Sequence, residues 1–280
     1  MAVVAPAGPF DRQIFERGLA ILASRYTPLV SPAVYEKDRY LAGNDAARAA
    51  DLQQAFSGEA KAVFAARGGY GAMRLLTRIT LRPKPLIGFS DITALHAMAQ
   101  VAGFRSLHAP VITQLGTQSP EIARRLFSAL EHPGAPEPLQ ARQTLTAGVA
   151  EGPLLGGNLS TLTRLLGTPF MPSFRGALLL LEDVGERPYR LDRMWTHLAL
   201  AGVFTDLAGI VLGDFTGCEE KDANYSSADV LQELALQAGV PCASGFAIGH
   251  GEVNTPVVLG ARARLDATAR TLTFLEGLVE

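Results

Sequence analysis

The chain has 280 residues, of which 48% are hydrophobic and 19% are charged, and its formal net charge is −2. This composition is typical of a globular protein with a sizeable core, and the length favours two domains of roughly 150 residues each. The nearly balanced charge does not indicate binding to nucleic acid or to an anionic membrane, because both need clustered Lys and Arg. Any charged partner must therefore be recognised by a local site.

The sequence also restricts location and metal chemistry. No stretch approaches the roughly 18 uncharged apolar residues of a membrane helix, and the segment from Met1 to Pro6 lacks the basic and apolar regions of a secretory signal. We therefore expect a cytoplasmic protein. The two cysteines, Cys218 and Cys242, are too few for a disulfide framework or a zinc site, so we expect two buried, reduced thiols. No His/Cys cluster predicts a metal.

The first half of the chain alternates short apolar strands with helices. The predicted elements are strands at 2–6, 62–66 and 85–87, helices at 10–24 and 44–56, and a glycine turn at 67–71 that leads into a helix. This alternation indicates a doubly wound α/β domain with a parallel sheet. Ligands meet the carboxyl ends of such strands, so we expect the loops 6–9, 67–71 and 88–91 at one rim.

The second half of the chain has a different pattern of predicted elements. Residues 131–143 are rich in proline and lack periodicity, so they are the best linker candidate. We predict an N-terminal domain over 1–135, a linker over 136–150 and a C-terminal domain over 151–280. Within the last, the predicted helices cover 159–166, 190–201 and 226–238, and the predicted strands cover 176–181, 208–213 and the region around 259–265. This mixture predicts a smaller α+β domain.

The stretch from Leu86 to His96 predicts a buried strand, a sharp turn and a helix opened by Asp91 or Thr93. Ser90 lies in this turn, where its hydroxyl would stand out of the sheet beside the N–H groups of a helix N-terminus. That is the geometry of an activated nucleophile beside an anion hole. However, the familiar elbow has glycine two positions after the serine, where this chain has Ile92. The alternative is that Ser90 or Asp91 merely caps the helix.

A serine nucleophile needs a base, which in turn needs an orienting carboxylate. Of the five histidines, His250 is the best candidate, because it lies between two glycines after a short apolar strand. His96 lies nearly two turns along the helix after Ser90, on a different face, while His197 lies in an amphipathic helix and His132 in the linker. His108 could line the rim, although we expect a structural role for it. The carboxylate candidates follow the four leucines 178–181 and are Glu182, Asp183 and Glu186. A charge at the end of a buried strand is costly unless it is paired, and a histidine is one possible partner.

The glycine loop Arg67-Gly-Gly-Tyr-Gly could cradle a phosphate. It lacks both the P-loop lysine and the spacing of a dinucleotide site. A better use is to aim a backbone N–H, that of Gly69, at the oxyanion that forms when Ser90 attacks, with the N–H of Asp91 as the second donor.

Six motifs, in this order, resemble those of the LD-carboxypeptidases, serine peptidases that remove the terminal D-alanine from murein tetrapeptides, and of their microcin-immunity relatives. They are Ala5-Pro-Ala-Gly-Pro, Arg67-Gly-Gly-Tyr-Gly-Ala-Met-Arg, Gly88-Phe-Ser-Asp-Ile-Thr-Ala-Leu, Gly156-Gly-Asn-Leu-Ser, Leu181-Glu-Asp, and Gly249-His with Asn254 and Pro256. One departure is Ala72, where serine is often found. The resemblance implies a triad of Ser90 as nucleophile, Glu182 as orienting carboxylate and His250 as general base, contributed by both domains. It also implies a homodimer that needs no metal or other cofactor.

The sequence therefore predicts a serine carboxypeptidase that hydrolyses the amide to a terminal D-alanine in a small peptide substrate. Arg67, Arg74 and Arg187 are the candidates for binding the substrate's carboxylate. One alternative is an immunity-type peptidase that cleaves aminoacyl nucleotides, but this activity favours an aromatic platform, and we expect Trp195, the only tryptophan, in the core. A second alternative is a non-catalytic protein that binds a small anion, with Ser90 as a helix cap.

Overall fold

The structure, a computed structural model, describes residues 1–279 and contains two sheets. The first sheet has six strands in the spatial order β12-β5-β4-β3-β1-β2. These strands are β1 (Ala2–Val4), β2 (Leu29–Val30), β3 (Val63–Ala65), β4 (Leu86–Gly88), β5 (Ser106–His108) and β12 (Val257–Leu259). All neighbours are parallel except β12, which pairs antiparallel with β5.

Helices cover both faces of this sheet. Successive strand residues point to opposite sides, so apolar side chains on both faces need to be covered. In β3, Val63 and Ala65 pack into one apolar cluster, whereas Phe64 packs into the cluster on the other face. The helices of this part are α1 (Arg12–Ala23), α2 (Asp45–Ser57), α3 (Thr93–Val101), α4 (Ile112–Leu115) and α5 (Pro120–Glu131). The doubly wound parallel sheet predicted from the alternation of elements is thus confirmed. The helix predicted after the glycine turn is only a short 3-10 helix, Ala72–Leu75.

The second sheet has eight strands in the order β6-β14-β13-β8-β9-β10-β11-β7. They are β6 (Leu139–Gln140), β7 (Gln143–Thr146), β8 (Val149–Asn158), β9 (Leu178–Val184), β10 (Gly209–Thr216), β11 (Cys242–Ser244), β13 (Arg262–Asp266) and β14 (Thr271–Phe274). Strands β8, β9, β10 and β11 pair parallel to one another, whereas β6, β14, β13 and β7 pair antiparallel with their neighbours. The sheet is accompanied by α6 (Leu159–Thr163), α7 (Pro188–Leu200) and α8 (Ser227–Ala238). The mixed character of this part agrees with the sequence prediction.

Two stretches differ from their predicted role. The predicted linker, 136–150, contains β6, β7 and the start of β8. Such short strands carry too little hydrophobic alternation to be recognised in a proline-rich stretch. In addition, β12 returns from the C-terminal part to the first sheet, where Val257 pairs with His108. The chain therefore returns to the first sheet at β12 and crosses again to the second sheet at β13, while the domain bounds at 135 and 151 stay a prediction.

The buried residues agree with other expectations from the sequence. Cys218 and Cys242 are both buried free thiols. Trp195 is 2% exposed and lies in the core of the second sheet. Within residues 1–279, no helix is both long and apolar enough to cross a bilayer.

Candidate active site

Ser90 lies at the carboxyl end of β4, in a backbone conformation that non-glycine residues rarely adopt. Its φ is +64°, and a 3-10 helix, Ser90–Ile92, leads directly into α3. Neither Ser90 nor Asp91 supplies a side-chain cap to these helices, so the capping alternative is wrong. In residues 1–279 the Ser90 hydroxyl makes no hydrogen bond. A strained turn from a strand into a helix is typical of a nucleophile elbow.

The glycine loop packs directly against this serine. A Cβ on Gly68 would lie 2.9 Å from Ser90 Cβ and 3.1 Å from Ser90 Oγ, so no side chain fits there without movement. The carbonyl of Gly68 also accepts a hydrogen bond from the N–H of Gly8 at 3.0 Å. The loops that follow β1, β3 and β4 therefore meet at one rim, as the sequence predicts.

Asp91 ties the elbow to the glycine loop. Its carboxylate accepts the N–H of Ala72 at 2.8 Å. Burial raises the pKa of Asp91 to about 6, although the N–H groups of Ala72 and Gly71 and the charge of Arg48 oppose this shift. The side chain thus holds the two loops together, while its backbone N–H remains adjacent to Ser90.

His250 and Glu182 form a hydrogen-bonded pair on the second sheet. Nδ1 of His250 lies 2.6 Å from Oε2 of Glu182, which belongs to β9 and is 0% exposed. Gly249 makes this approach possible: its φ is +111°, and a Cβ there would lie 2.4 Å from the same oxygen. With Nδ1 donating to the carboxylate, the lone pair of the imidazole resides on Nε2.

Each member of this pair shifts the pKa of the other. Burial opposes ionisation of Glu182, but the neighbouring imidazoles of His108 and His250 more than offset it and lower the carboxyl pKa to about 2. Burial likewise disfavours the charged form of His250, yet the hydrogen bond and charge of Glu182, with a contribution from Asp183, raise its pKa overall. The arrangement therefore keeps Glu182 ionised and makes His250 a stronger base.

The turn that carries His250 is fastened to the first half of the chain by Asn254. This side chain is 0% exposed, accepts the N–H of Gly249 at 2.9 Å and donates to Gln114 at 2.9 Å. Its own N–H donates to Gln118 at 3.0 Å. Asn254 therefore holds the histidine turn against the segments that follow β5.

The two competing carboxylates have other partners. Asp183 accepts N–H groups of Ser160 and Val184, both at 2.8 Å, and so organises the start of α6. Glu186 accepts the hydroxyl of Ser160 at 2.9 Å and forms an ion pair with Arg190 at 2.6 Å. Neither is hydrogen bonded to a histidine in the part of the chain that the structure describes.

The Gly156-Gly157-Asn158 motif joins the two sheets beside the elbow. The N–H of Asn158 donates to the hydroxyl of Thr93 in α3 at 2.9 Å. A Cβ on Gly157 would lie 2.6 Å from that hydroxyl, and the φ of this glycine is +140°. Glycine at this position therefore lets the second sheet approach the helix that follows Ser90.

A cavity of about 930 Å³ opens beside these groups. Its walls include Ser90, His250, Gly69, Arg67, Phe89 and Lys37. The candidate nucleophile and the candidate base, which are far apart in the sequence, thus share one cavity. The rings of Phe89 and His250 lie 4.6 Å apart, centroid to centroid, at its wall. This volume is within the range of pockets that bind small molecules.

The three arginines predicted to bind a carboxylate have different positions. Arg67 lines the cavity and donates to the carbonyl of Pro9. Arg74 does not line it and instead forms a hydrogen-bonded ion pair with Asp45 at 2.7 Å. Arg187 also lies outside the lining, 3.5 Å from Glu220.

Sequence reasoning missed Lys37, which lines the cavity from the segment before α2. No motif or spacing in the sequence connects this lysine with the elbow. It gives the cavity a second cation besides Arg67.

His96 has a structural role in the first sheet. Its Nε2 lies 2.9 Å from the carbonyl of Gly88 and its Nδ1 lies 2.8 Å from the hydroxyl of Ser106. A carbonyl oxygen can only accept a hydrogen bond, so Nε2 carries the proton of this ring. Nδ1 therefore accepts the hydrogen bond from the Ser106 hydroxyl. Burial lowers the pKa of His96 to about 3, so this neutral side chain supports the strand that leads into the elbow.

No cluster of three or more His, Cys, Asp or Glu residues suited to a metal ion occurs in residues 1–279. The groups that meet at the cavity include a hydroxyl and an imidazole paired with a carboxylate, which are side chains of acyl transfer.

Comparison with known proteins identifies relatives of this chain. Residues 1–109 match the model of the LD-carboxypeptidase N-terminal domain, and residues 151–265 match that of the C-terminal domain. A probable murein peptide carboxypeptidase of Bacillus subtilis is 36% identical over 296 residues, which cover 100% of this chain and 92% of the relative. The microcin C7 self-immunity protein MccF of Escherichia coli is 25% identical over 312 residues, covering 97% of this chain and 91% of that protein.

Among solved structures, the muramoyltetrapeptide carboxypeptidase of Oxalobacter formigenes superimposes with a TM-score of 0.88 at 28% identity. The match covers 100% of both chains. On the evidence of both domain models and of a relative that is 36% identical over 92% of its length, the chain belongs to the LD-carboxypeptidase family.

Proposed function

We propose that this protein is a serine carboxypeptidase that hydrolyses the amide to a terminal D-alanine in murein tetrapeptides. The observation that carries the proposal is that Ser90, in its strained turn, shares a cavity with His250, whose Nδ1 lies 2.6 Å from the buried carboxylate of Glu182. The relatives named as murein peptide and muramoyltetrapeptide carboxypeptidases support the substrate class.

In the proposed first half-reaction, Nε2 of His250 takes the proton of the Ser90 hydroxyl as Oγ attacks the carbonyl carbon of the scissile amide. The oxyanion of the tetrahedral intermediate is held by the backbone N–H groups of Asp91 and Gly69. The imidazolium of His250 then gives its proton to the departing nitrogen. D-alanine leaves, and the remaining peptide is esterified to Ser90.

The second half-reaction repeats these steps with water. His250 takes a proton from the water molecule, whose oxygen attacks the ester carbon, and then returns the proton to Ser90 Oγ as the peptide acid leaves. Glu182 stays ionised throughout and stabilises the imidazolium form of His250. Its low pKa and its contact with Nδ1 of His250 support this role.

The substrate ends in the carboxylate of D-alanine, which requires a cation near the leaving group. We assign this role to Arg67, because its side chain lines the cavity and a guanidinium can bind a carboxylate through two hydrogen bonds. Lys37 is a second cation in the same wall. Arg74 has another partner in Asp45, so we do not include it in the site. The homodimer and the cytoplasmic location implied by the sequence stay predictions.

The two alternatives have less support. Cleavage of aminoacyl nucleotides is favoured by the relationship to a microcin self-immunity protein, but Trp195 is buried in the core and offers no platform for a base. Simple anion binding would not require the hydrogen bond between His250 and Glu182.

The test is an assay of the purified full-length protein against a murein tetrapeptide, an aminoacyl sulfamoyl adenosine and a buffer blank. We expect release of D-alanine from the tetrapeptide only, and a fluorophosphonate probe should label wild-type protein but not Ser90→Ala. Cleavage of the nucleotide analogue alone would favour the immunity-type activity. Turnover of neither substrate, with no labelling of Ser90, would refute the proposal.

A further inference from the structure

His108, the last residue of β5, faces the carboxylate of Glu182 from the side opposite His250. Its Nε2 lies 4.0 Å from Glu182 Oε1, and both side chains are 0% exposed. Within residues 1–279, neither nitrogen of His108 nor Oε1 of Glu182 has a hydrogen-bond partner. Two unsatisfied groups of complementary chemistry thus face each other in the protein interior.

Buried polar atoms are almost always hydrogen bonded, because an unpaired one loses its contacts with water and gains nothing. A shift of about 1 Å would bring this pair to an ordinary N–H···O distance. The surrounding side chains offer His108 no substitute. Its ring neighbours are Phe89, at 5.8 Å between centroids, and His96, at 6.4 Å. Both nitrogens of His96 are already bonded, to Gly88 and Ser106.

The strand register shows why His108 can reach this position. It pairs with Gly88 of β4 on one side and with Val257 of β12 on the other. Its backbone therefore lies between the strand that leads to Ser90 and the strand that follows the His250 turn. From there its side chain reaches across to β9 of the second sheet.

We propose that His108 is a positioning residue for the reaction: its Nε2–H donates to Oε1 of Glu182 and thereby holds Oε2 against Nδ1 of His250. This role rests on the function proposed above. His108 does not line the cavity, so it acts on the substrate only through Glu182 and His250.

The charges around Glu182 determine the expected pH effect. It is faced by His108 from β5 and by His250, and it also interacts with Asp183 of its own strand and with Asp214 of β10. Both aspartates are acidic, so the two histidines supply the favourable contacts. Removing the His108 donor concentrates negative charge on the side facing His250. The Glu182–His250 pair then binds its proton more tightly, and its apparent pKa rises.

The first test compares His108→Phe, which keeps a buried ring without a donor, with His108→Gln, whose side-chain amide replaces Nε2–H. We expect His108→Phe to lower kcat on the order of 10–100-fold with KM nearly unchanged, and to move the acid limb of the kcat/KM profile to higher pH. His108→Gln should restore most of both. His197→Phe, at an exposed position in α7, is the matched control and should behave as wild type.

Two outcomes would overturn the proposal. One is a wild-type pH profile and kcat in His108→Phe. The other is an equal loss of activity in both His108 variants, in proportion to a lower melting temperature, which would indicate packing alone.

A second measurement does not depend on any variant folding or on turnover. Nitrogen-15 NMR of histidine-labelled wild-type protein reports which ring nitrogen carries the proton. We expect the proton of His108 on Nε2, with a downfield resonance of the hydrogen-bonded Nε2–H proton that moves in Glu182→Gln. A bare Nε2 would refute the contact. If the wild type instead shows the Nε2–H resonance but no peptidase activity, the proposed function fails while the His108–Glu182 contact stands.

Discussion

Nδ1 of His250 lies 2.6 Å from Oε2 of Glu182, although 68 positions separate the two residues in the sequence. The carboxylate is fully buried, so this contact has little competition from water. It sets the tautomer and orientation of the imidazole in the cavity that also contains Ser90. The predictions below follow from this pair and from the loops that meet beside it.

Replacement of Ser90 by alanine should lower kcat by on the order of a thousandfold or more. The reason is that no other hydroxyl is held in the strained turn at the end of β4. The melting temperature should hardly change, because the Ser90 hydroxyl makes no hydrogen bond within residues 1–279. Release of D-alanine and thermal unfolding are the measurements. A variant with unchanged turnover would remove Ser90 from the mechanism.

Glu182→Gln should cause a loss of similar order, because an amide can donate to Nδ1 and so stabilise the wrong tautomer of His250. The matched control is Asp183→Asn, which alters the adjacent residue of β9 but keeps one oxygen to accept the N–H of Ser160 at the start of α6. We expect the control to retain most of its kcat. If Asp183→Asn is the crippling change, the carboxylate has been assigned one residue too early.

The pH profile should report the raised pKa of His250. The residue acts as a base only when neutral, so kcat/KM should fall as the pH drops through its pKa. Since Glu182 raises that pKa above the ordinary value of 6.5, the acid limb should lie above pH 6.5. In the residual activity of Glu182→Gln it should move to lower pH, because the attraction to the carboxylate is lost. A limb that stays in place would indicate that another group titrates.

Asp91→Ala should destabilise the fold by about 1–3 kcal/mol, because the N–H of Ala72 would remain buried without its acceptor. It should also lower kcat, since the glycine loop that carries Gly69 would lose its tie to the elbow. Asp91→Asn keeps an oxygen acceptor and should lose much less stability. Chemical denaturation gives the free energies of unfolding. Equal losses in the two variants would contradict this role for the hydrogen bond.

Arg67→Ala should raise KM about 10–100-fold if the guanidinium binds the terminal carboxylate of the substrate. Arg67→Lys keeps the charge and should be less affected. Arg74→Ala is the control, because Arg74 is exposed, lies outside the cavity lining and pairs with Asp45. Its KM should stay near that of wild type. A larger effect at Arg74 than at Arg67 would reverse the assignment.

Much of the fold follows from local patterns in the sequence. The alternation of short apolar strands with helices predicts the parallel sheet, and the strand-to-helix turn at Ser90 and the glycines around His250 indicate special backbone geometry. These features depend on neighbouring residues, so a single sequence reveals them.

The remaining features depend on pairings between distant residues. The alternation around 259–265 predicts a strand but not that Val257–Leu259 joins the first sheet, and β6 and β7 are too short for a periodic signal. His108 is similar: the sequence indicates a position near the rim, but only the meeting of β5 with β9 brings it to Glu182. Lys37 likewise acquires its position from the folding of its loop over the cavity.

The pairing of β12 with β5 has a consequence for the order in which the protein matures on the ribosome. Until residue 259 has emerged, β5 is an unprotected edge, and such edges promote aggregation. β12, which covers this edge, follows the His250 turn by only a few residues. The same late stage of synthesis therefore supplies both the last strand of the first sheet and the candidate base. We therefore expect nascent chains that end before β12 to depend on chaperones and to be inactive.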